Sequence, residues 1–367
     1  MCDFSVLEWL KNGNFNYLCR DLFKYSKDPV GMLSSIRTTI WLTTTILLST
    51  LMCGCGERSR YIEIQGEALG TFVQVKCDTP LPAESISDII QDVDRESKAS
   101  MSIFSSESLL SRINSNATDS LDCHIAHNIE LAKRFSELSD GAYDITIKPL
   151  TDALGFGRNE VNSEVNIDSL LEFVGYELLR IEEGRLRKGD SRVEIDLNSI
   201  AKGYTVDLIA ERLEALEVDN YMVNIGGEIR CRGYNAKGER WSIAIETPYD
   251  GNMTMDSFEK IVRIADRAVA TSGNYRRYYL TESGQKVAHT INPKTGRSAV
   301  STLLSATVIA PTCAEADAAA TMLMSLGATS EAERVAEQCH RDYGWDYYLI
   351  FAGEEDYEVA SSIEISN

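Results

Sequence analysis

The chain has 367 residues, 36 Lys and Arg against 56 Asp and Glu, a net charge of −20 and 44% hydrophobic residues. That apolar content can bury a core and rules out wholesale disorder, while the length fits one large domain or two smaller ones. The acidic balance argues against a nucleic-acid binder, which needs clustered Lys and Arg. It leaves open a nucleotide ligand held by backbone amides and a metal ion. In chain order, residues 1–31 mix Trp9, Phe15, Tyr17, Cys19 and Phe23 with charges of both signs and fit no targeting signal. Met32 makes a normal start for the apolar segment after it, so 1–31 are expected to be a gene-model extension. Residues 32–55 contain a lone Arg37, an apolar run from Ile40 to Met52, then Cys53-Gly54-Cys55, with Gly56 following. The run has the length of a signal-peptide core and is short for a membrane span.

That order resembles a bacterial lipoprotein signal. Cys55 is the better lipidation candidate, with small Gly54 before it; Cys53, directly after Met52, is the alternative, and an uncleaved anchor helix is the competing reading. From about 60 to 360 no linker, repeat or low-complexity tract interrupts the chain, which predicts one domain. Strands are predicted at Tyr61–Gln65, Thr71–Cys77, Tyr176–Glu182, Val193–Leu197, Tyr221–Ile225, Trp241–Glu246, Ile261–Ile264, Leu304–Ile309 and Tyr347–Phe351, all rich in β-branched and aromatic residues. Helices are predicted at Ala83–Glu96, Leu121–Leu138, Ile200–Leu216, Thr312–Leu326 and Glu331–Cys339. A short alternating strand is expected after the Gly141 turn, ahead of Pro149. Interspersed strands and helices place the fold as α+β or mixed α/β. The tail from Asp356 to Asn367 carries no assignment.

Several segments carry possible chemistry. Asp317 and Thr321 are four apart on a helix and share a face, where a carboxylate and a hydroxyl are hard donors suited to Mg²⁺. By spacing alone a plain helix-start Asp paired with a packed Thr is the favoured reading, since many helices carry such a pair. Asp196-Leu197-Asn198-Ser199 ends a predicted strand and leads into a helix carrying Lys202. Asn198 or Ser199 would cap it, and its N-terminus offers free N–H groups to an anion. Asn224-Ile225-Gly226-Gly227-Glu228 permits either a close backbone approach or a hairpin turn. His289 lies between a β-like run and an Asn-Pro-Lys-Thr-Gly turn, where an imidazole serves as a base or as a structural group. His124 and His127 are three apart but lack an evident third metal ligand. Cys77, Cys123, Cys231, Cys313 and Cys339 are widely spaced with no C-x-x-C pair, so buried free thiols are expected.

Read in order, these segments resemble the ApbE family of FAD:protein FMN transferases. The carriers are Leu69-Gly70-Thr71-Phe72, Met101-Ser102 with Asn114, and Gly141-Ala142-Tyr143-Asp144-Ile145-Thr146. Ile195 to Tyr204, Asn224 to Glu228, Thr271 to Tyr275, His289 to Gly296 and the Asp317–Thr321 helix complete the match. The resemblance implies the family's mixed α/β fold and a reaction in which FAD gives FMN to a Thr or Ser hydroxyl of a target protein and AMP leaves. It implies that Asp317, Thr321 and the backbone oxygen of Ser199 hold Mg²⁺. It implies that Leu69, Met101, Ser102, Ala142, Tyr143, Asp144, Asp196, Lys202 and His289 contact FAD, with His289 the candidate base. It also implies a lipid-anchored protein on the extracytoplasmic side of the inner membrane. Its acceptors would be subunits of a redox complex such as the sodium-pumping NADH:quinone reductase or its Rnf-type relative. Asn198-Ser199 stands where many members have Gly-Gly, Asn292 where Asp is common, and Tyr275-Arg276-Arg277 lacks an acidic residue often found there. An FAD pyrophosphatase and a non-catalytic flavin-binding lipoprotein are the alternatives.

Overall fold

The computed structural model describes residues 61–363 apart from 158–165, 249–257, 275–277, 281–283, 285, 300, 328 and 354–356. The expected extension 1–31, the expected signal 32–55 with Cys55, and Tyr275-Arg276-Arg277 therefore lie outside the described residues. No helix among the described residues is long and apolar enough to cross a membrane.

The elements run β1 (Tyr61–Ala68), β2 (Thr71–Asp78), α1 (Ala83–Met101), α2 (Leu109–Asn114), α3 (Cys123–Leu138), α4 (Lys148–Ala153), α5 (Ile167–Leu170), β3 (Leu179–Glu182) and β4 (Arg185–Lys188). Then come α6 (Ala201–Ala215), β5 (Tyr221–Ile225), β6 (Glu228–Arg232), β7 (Trp241–Glu246), β8 (Phe258–Ile264), β9 (Arg267–Gly273), β10 (Tyr278–Leu280), β11 (Lys286–Ala288), β12 (Ile291–Asn292) and β13 (Arg297–Ser298). The chain closes with β14 (Leu303–Ala310), α7 (Cys313–Ser325), α8 (Thr329–Tyr343), β15 (Asp346–Ala352) and β16 (Tyr357–Ser361). This is a mixed α/β fold, as expected. Eight strands form one sheet in the order β1-β2-β5-β6-β9-β14-β15-β16, and each neighbouring pair is antiparallel.

Both faces of this sheet are covered. On one face, α1 and α6 bury Ile86, Ile90, Val206 and Ile209 against Val73, Val75, Val223 and Ile225. Beside them the alanine-rich α7 packs with α3 and α8 on Ala306, Val308 and Ala310. Helix α7 is buried nearly all round, so its apolar residues form no single stripe. The opposite face carries the β7–β8 hairpin, whose Ile243, Ile245 and Val262 pack on Met222, Ile229, Val269 and Ile309. Strand β14 sits between the two layers and is buried along almost its whole length, which is why it reads as a continuous apolar run.

Three local expectations are corrected. Val193–Leu197 joins no sheet and forms only an isolated parallel bridge, between Glu194 and Ile147. The Asn114 amide instead supplies both bonds that a neighbouring strand would give Ile195, donating to its carbonyl at 2.8 Å and accepting from its N–H at 2.8 Å. Asp196 N–H donates to the Ile145 carbonyl at 2.7 Å. The segment after Gly141 is a turn rather than an alternating strand, because the Asp144 carboxylate accepts from Thr146 N–H at 2.8 Å and Thr146 hydroxyl at 2.7 Å and closes the backbone. Tyr176–Leu178 is a 3-10 turn, and only Leu179–Glu182 is strand. Gly226-Gly227 resolves as a hairpin turn between β5 and β6. Four of the five described cysteines are buried free thiols, but Cys123, the first residue of α3, is exposed.

Candidate active site

A cavity of about 770 Å³ opens on the helical side of the sheet. Leu69, Met101, Ser102, Ala142, Tyr143, Asp144, Asp196, Ser199, Lys202, His289, Asp317 and Thr321 all line it. They come from separate stretches of the chain, and their convergence is a property of the fold alone.

The floor is the contact between α6 and α7. No side chain of its own caps α6; the position expected for Asn198 or Ser199 is held by Ile200, which makes no side-chain cap bond. Asp317 of α7 does that work instead, accepting from Gly203 N–H at 3.0 Å. Asn198 N–H donates to Asp196 at 2.8 Å, and the Ser199 hydroxyl bonds the Tyr143 hydroxyl at 2.8 Å. In return, Asp207 of α6 accepts from Cys313 N–H at 2.9 Å and Ala314 N–H at 2.8 Å at the start of α7. Arg230 pairs with Asp207 at 2.9 Å. Gly203 is required here: a Cβ would fall 2.3 Å from the Cys313 carbonyl oxygen.

Charge is concentrated at this floor. Asp317 and Glu228 are each only 4% exposed, and the Lys202 ammonium pairs with Glu228 at 2.5 Å. Burial, reinforced by Glu228, pushes the Asp317 carboxyl well above the usual carboxylate range. Burial works against the Lys202 charge, but Glu228 and Asp317 outweigh it and hold the ammonium firmly protonated. One Glu228 oxygen is buried and accepts no hydrogen bond among the described residues. Two buried carboxylates thus face one ammonium. Thr321, one turn on from Asp317, bonds Ser272 at 3.0 Å rather than pairing with the carboxylate. An aspartate, a threonine hydroxyl and a loop carbonyl suit Mg²⁺, which takes one or two carboxylates and fills its shell with water and phosphate oxygens. A cage of three or more His, Cys, Asp or Glu side chains is absent among the described residues.

The walls are built from turns. Leu69 and Gly70 both have positive φ, 52° and 75°, in the tight β1–β2 hairpin, and Leu69 N–H donates to Asp94 at 2.7 Å. Such strain in a non-glycine residue is tolerated where the surroundings hold it and is frequent at ligand sites. Burial raises the Asp144 carboxyl to about 6 despite the bonds from Thr146. Burial also raises the Asp196 carboxyl, partly offset by Asn198 N–H and by Lys148. Lys148 is itself buried between Asp152 and Glu194. His289 lies between β11 and β12, its ring 6.4 Å from that of Phe156. His124 and His127 do not join the site; both contact Tyr204, one by a 3.1 Å hydrogen bond and one by stacking at 4.9 Å.

Phe104 and Glu228 are lining residues to which the sequence assigned no role. Phe104, 58% exposed, stands at the mouth beside Ser102 and Ser105. An aromatic residue in a serine-rich loop was its available signal. Glu228 was visible as part of the Gly-Gly-Glu turn, but its role needed the packing of β6 against α6.

A cavity with two carboxyl groups and an ammonium at its floor and an aromatic side chain at its mouth is suited to a polar ligand with an aromatic part, and the chain matches known flavin transferases. The profile described as the ApbE family matches residues 69–344. A FAD:protein FMN transferase of Haemophilus influenzae is 34% identical over 337 residues, covering 86% of this chain and 94% of that protein. One from Vibrio cholerae is 33% identical over 301 residues, covering 78% and 87%. The solved flavin transferase ApbE from Vibrio cholerae superposes with a TM-score of 0.72 at 30% identity, covering 83% of this chain and 97% of that one. The apo flavinyl transferase ApbE of Pseudomonas stutzeri gives 0.72 at 29% identity, covering 82% and 94%. The chain belongs to the ApbE family.

Proposed function

We propose that this chain transfers FMN from FAD to a Thr or Ser hydroxyl of a target protein, with Mg²⁺, and releases AMP. The observation that carries this is the pair of buried carboxyl groups, Asp317 and Glu228, set beside the Lys202 ammonium in a cavity large enough for a dinucleotide, where a bound cation would hold Asp317 ionised. Asp317, Thr321 and the Ser199 carbonyl would hold the ion, which when bound neutralises charge on the pyrophosphate. Lys202 offers a second cation to the same phosphates. The Tyr143–Ser199 bond fixes the loop that presents the Ser199 carbonyl. Leu69, Met101, Ala142 and Phe104 supply apolar and aromatic surface, and Ser102, Asp144 and Asp196 supply polar contacts for the flavin and its ribityl chain. His289 accepts the proton of the acceptor hydroxyl as that oxygen bonds to the FMN phosphorus and the P–O bond to AMP breaks.

The same reading places the protein on the extracytoplasmic side of the inner membrane, held by lipid at Cys55. Its acceptor is then a subunit of a membrane redox complex such as the sodium-pumping NADH:quinone reductase or its Rnf-type relative. The test is incubation of the purified chain with FAD, Mg²⁺ and the soluble domain of such a subunit, then a denaturing gel scanned for flavin fluorescence. A fluorescent acceptor band that EDTA abolishes is expected. AMP and FMN accumulating without a band would replace transfer by FAD hydrolysis, and intact FAD would leave a flavin binder.

A further inference from the structure

The far side of the sheet carries a feature that the flavin site does not use. A groove runs along β8 from Lys260 and through the turn to Arg267 at the start of β9, floored by Ile309 and closed by Tyr234, Arg240 and Ile363. Four cations line it, Arg240, Lys260, Arg263 and Arg267, against two carboxylates, Asp266 and Asp346. Arg267 is committed to Asp346 at 2.9 Å, and Asp266 accepts from Gly233 N–H at 3.1 Å. Arg240, Lys260 and Arg263 pair with no carboxylate among the described residues. Three unpaired cations together are a strong local departure in a chain of net charge −20. Two large apolar side chains stand among them, Tyr234 at 54% and Ile261 at 48% exposure.

The start of the domain lies at the same place. Tyr61, the first residue of β1, donates its hydroxyl to the Tyr234 carbonyl, and its ring lies 6.3 Å from that of Trp241, next to Arg240. Cys55 precedes Tyr61 by six residues. Six extended residues reach at most about 20 Å, so a lipid on Cys55 ties this face close to the bilayer.

We propose that the β7–β8 face is the membrane-facing surface of the protein and that its groove takes anionic phospholipid headgroups on Arg240, Lys260 and Arg263. This rests on the lipid-anchoring reading above. Tyr234 and Ile261 sit at headgroup level, where amphipathic and apolar side chains among cations are favoured. Each cation near an anionic surface strengthens the docked state roughly fivefold, so the three together matter far more than any one. The flavin cavity lies on the opposite face of the eight-stranded sheet, beside α6 and α7. It is thereby turned toward acceptor domains standing off the bilayer.

The test uses the full chain, lipidated in a bacterial host and reconstituted in vesicles, with Cys123→Ser removing the one exposed native thiol among the described cysteines. A fluorophore is placed by Ile261→Cys, or by Glu107→Cys near the cavity mouth, and quenched by headgroup-labelled lipid. In vesicles containing phosphatidylglycerol, strong quenching at 261 and little at 107 is expected. Arg240→Glu with Lys260→Glu and Arg263→Glu should abolish the quenching at 261 without releasing the protein from the vesicles and without lowering transfer to a soluble acceptor. Protein that fails to sediment with vesicles at all would defeat the anchoring reading. Sedimentation with equal quenching at both positions would overturn the orientation alone. Quenching at 261 that survives the triple charge reversal, or is equally strong on neutral vesicles, would overturn the assignment to anionic headgroups. Loss of that quenching only when an acidic acceptor protein is added would assign the groove to a protein partner instead.

Discussion

Gly203→Ala should damage the site through one methyl group. That methyl would stand 2.3 Å from the Cys313 carbonyl oxygen, 2.7 Å from its carbon and 2.8 Å from the Asp317 Cβ. Carbon atoms in contact prefer about 3.5–4.0 Å, so α6 and α7 must separate by roughly 1 Å. Overpacking of this kind costs about 1–3 kcal/mol. Weakening the N–H bond to the Asp317 carboxylate adds about 1.5–3 kcal/mol, while alanine's better helix propensity returns about 1 kcal/mol. The net loss of about 2–5 kcal/mol corresponds to a Tm lowered by roughly 4–10 °C in a domain this large. Function should fall further than stability, because a displacement of about 1 Å at a phosphoryl-transfer site costs on the order of a hundredfold in rate. Differential scanning fluorimetry gives the first quantity and the in-gel flavin assay, run well below the variant's Tm, gives the second. A variant with unchanged Tm and wild-type transfer would show that the α6–α7 contact neither carries strain nor sets the position of Asp317.

Asp317→Asn keeps an oxygen that accepts from Gly203 N–H but removes the charge; transfer should drop by about a hundredfold or more with little change in Tm, and a Mg²⁺ titration should show the loss. Phe104→Ala should leave Tm nearly unchanged, since the ring is mostly exposed. It should raise the KM for FAD by up to about tenfold, the value of an aromatic stack worth about 0.5–1.5 kcal/mol; steady-state kinetics decides. Asp144 gives a pH signature. Its folded carboxyl is raised to about 6 from an ordinary value of 3.8, so between those values the folded state binds more protons than the unfolded one. Stability therefore declines as pH rises through that window, by about 3 kcal/mol from this group. Asp144→Asn should flatten that part of the Tm–pH curve, and an unchanged slope would refute the assignment.

Much of the fold is legible in the sequence alone. Strands that alternate, such as β2 and β7, and helices with one apolar stripe, such as α1 and α3, come from periodicity, and β5 from its short apolar run, which is buried on both faces. What resisted reading was backbone satisfied by side chains. Val193–Leu197 has the composition of a strand, yet Ile195 at its centre is partnered by the Asn114 amide, 81 residues away in sequence. Strand β6 hides because Arg230 and Arg232 break its apolar pattern, and both are there to pair with Asp207, Glu214 and Asp219. The site residues were visible as motifs of small, polar and glycine residues. Their convergence was not, because Asp317 and Gly203 meet across 114 residues of chain and neither carries a local sign of the other.

The exchange of caps between α6 and α7 has a dynamic consequence. Each helix start is held by a carboxylate of the other, α6 by Asp317 and α7 by Asp207 together with its own Thr312 cap, so fraying of either first turn breaks a bond to its neighbour. Loosening the start of α6 leaves the buried Asp317 without its Gly203 donor, and loosening the start of α7 leaves the buried Asp207 without two of its donors. Local opening at the cavity floor is thereby coupled to separation of the two helices, and the amide protons of Gly203, Cys313 and Ala314 should exchange with solvent together, among the slowest in the protein. The part of the molecule that must hold a highly charged substrate still is the part least able to breathe by itself.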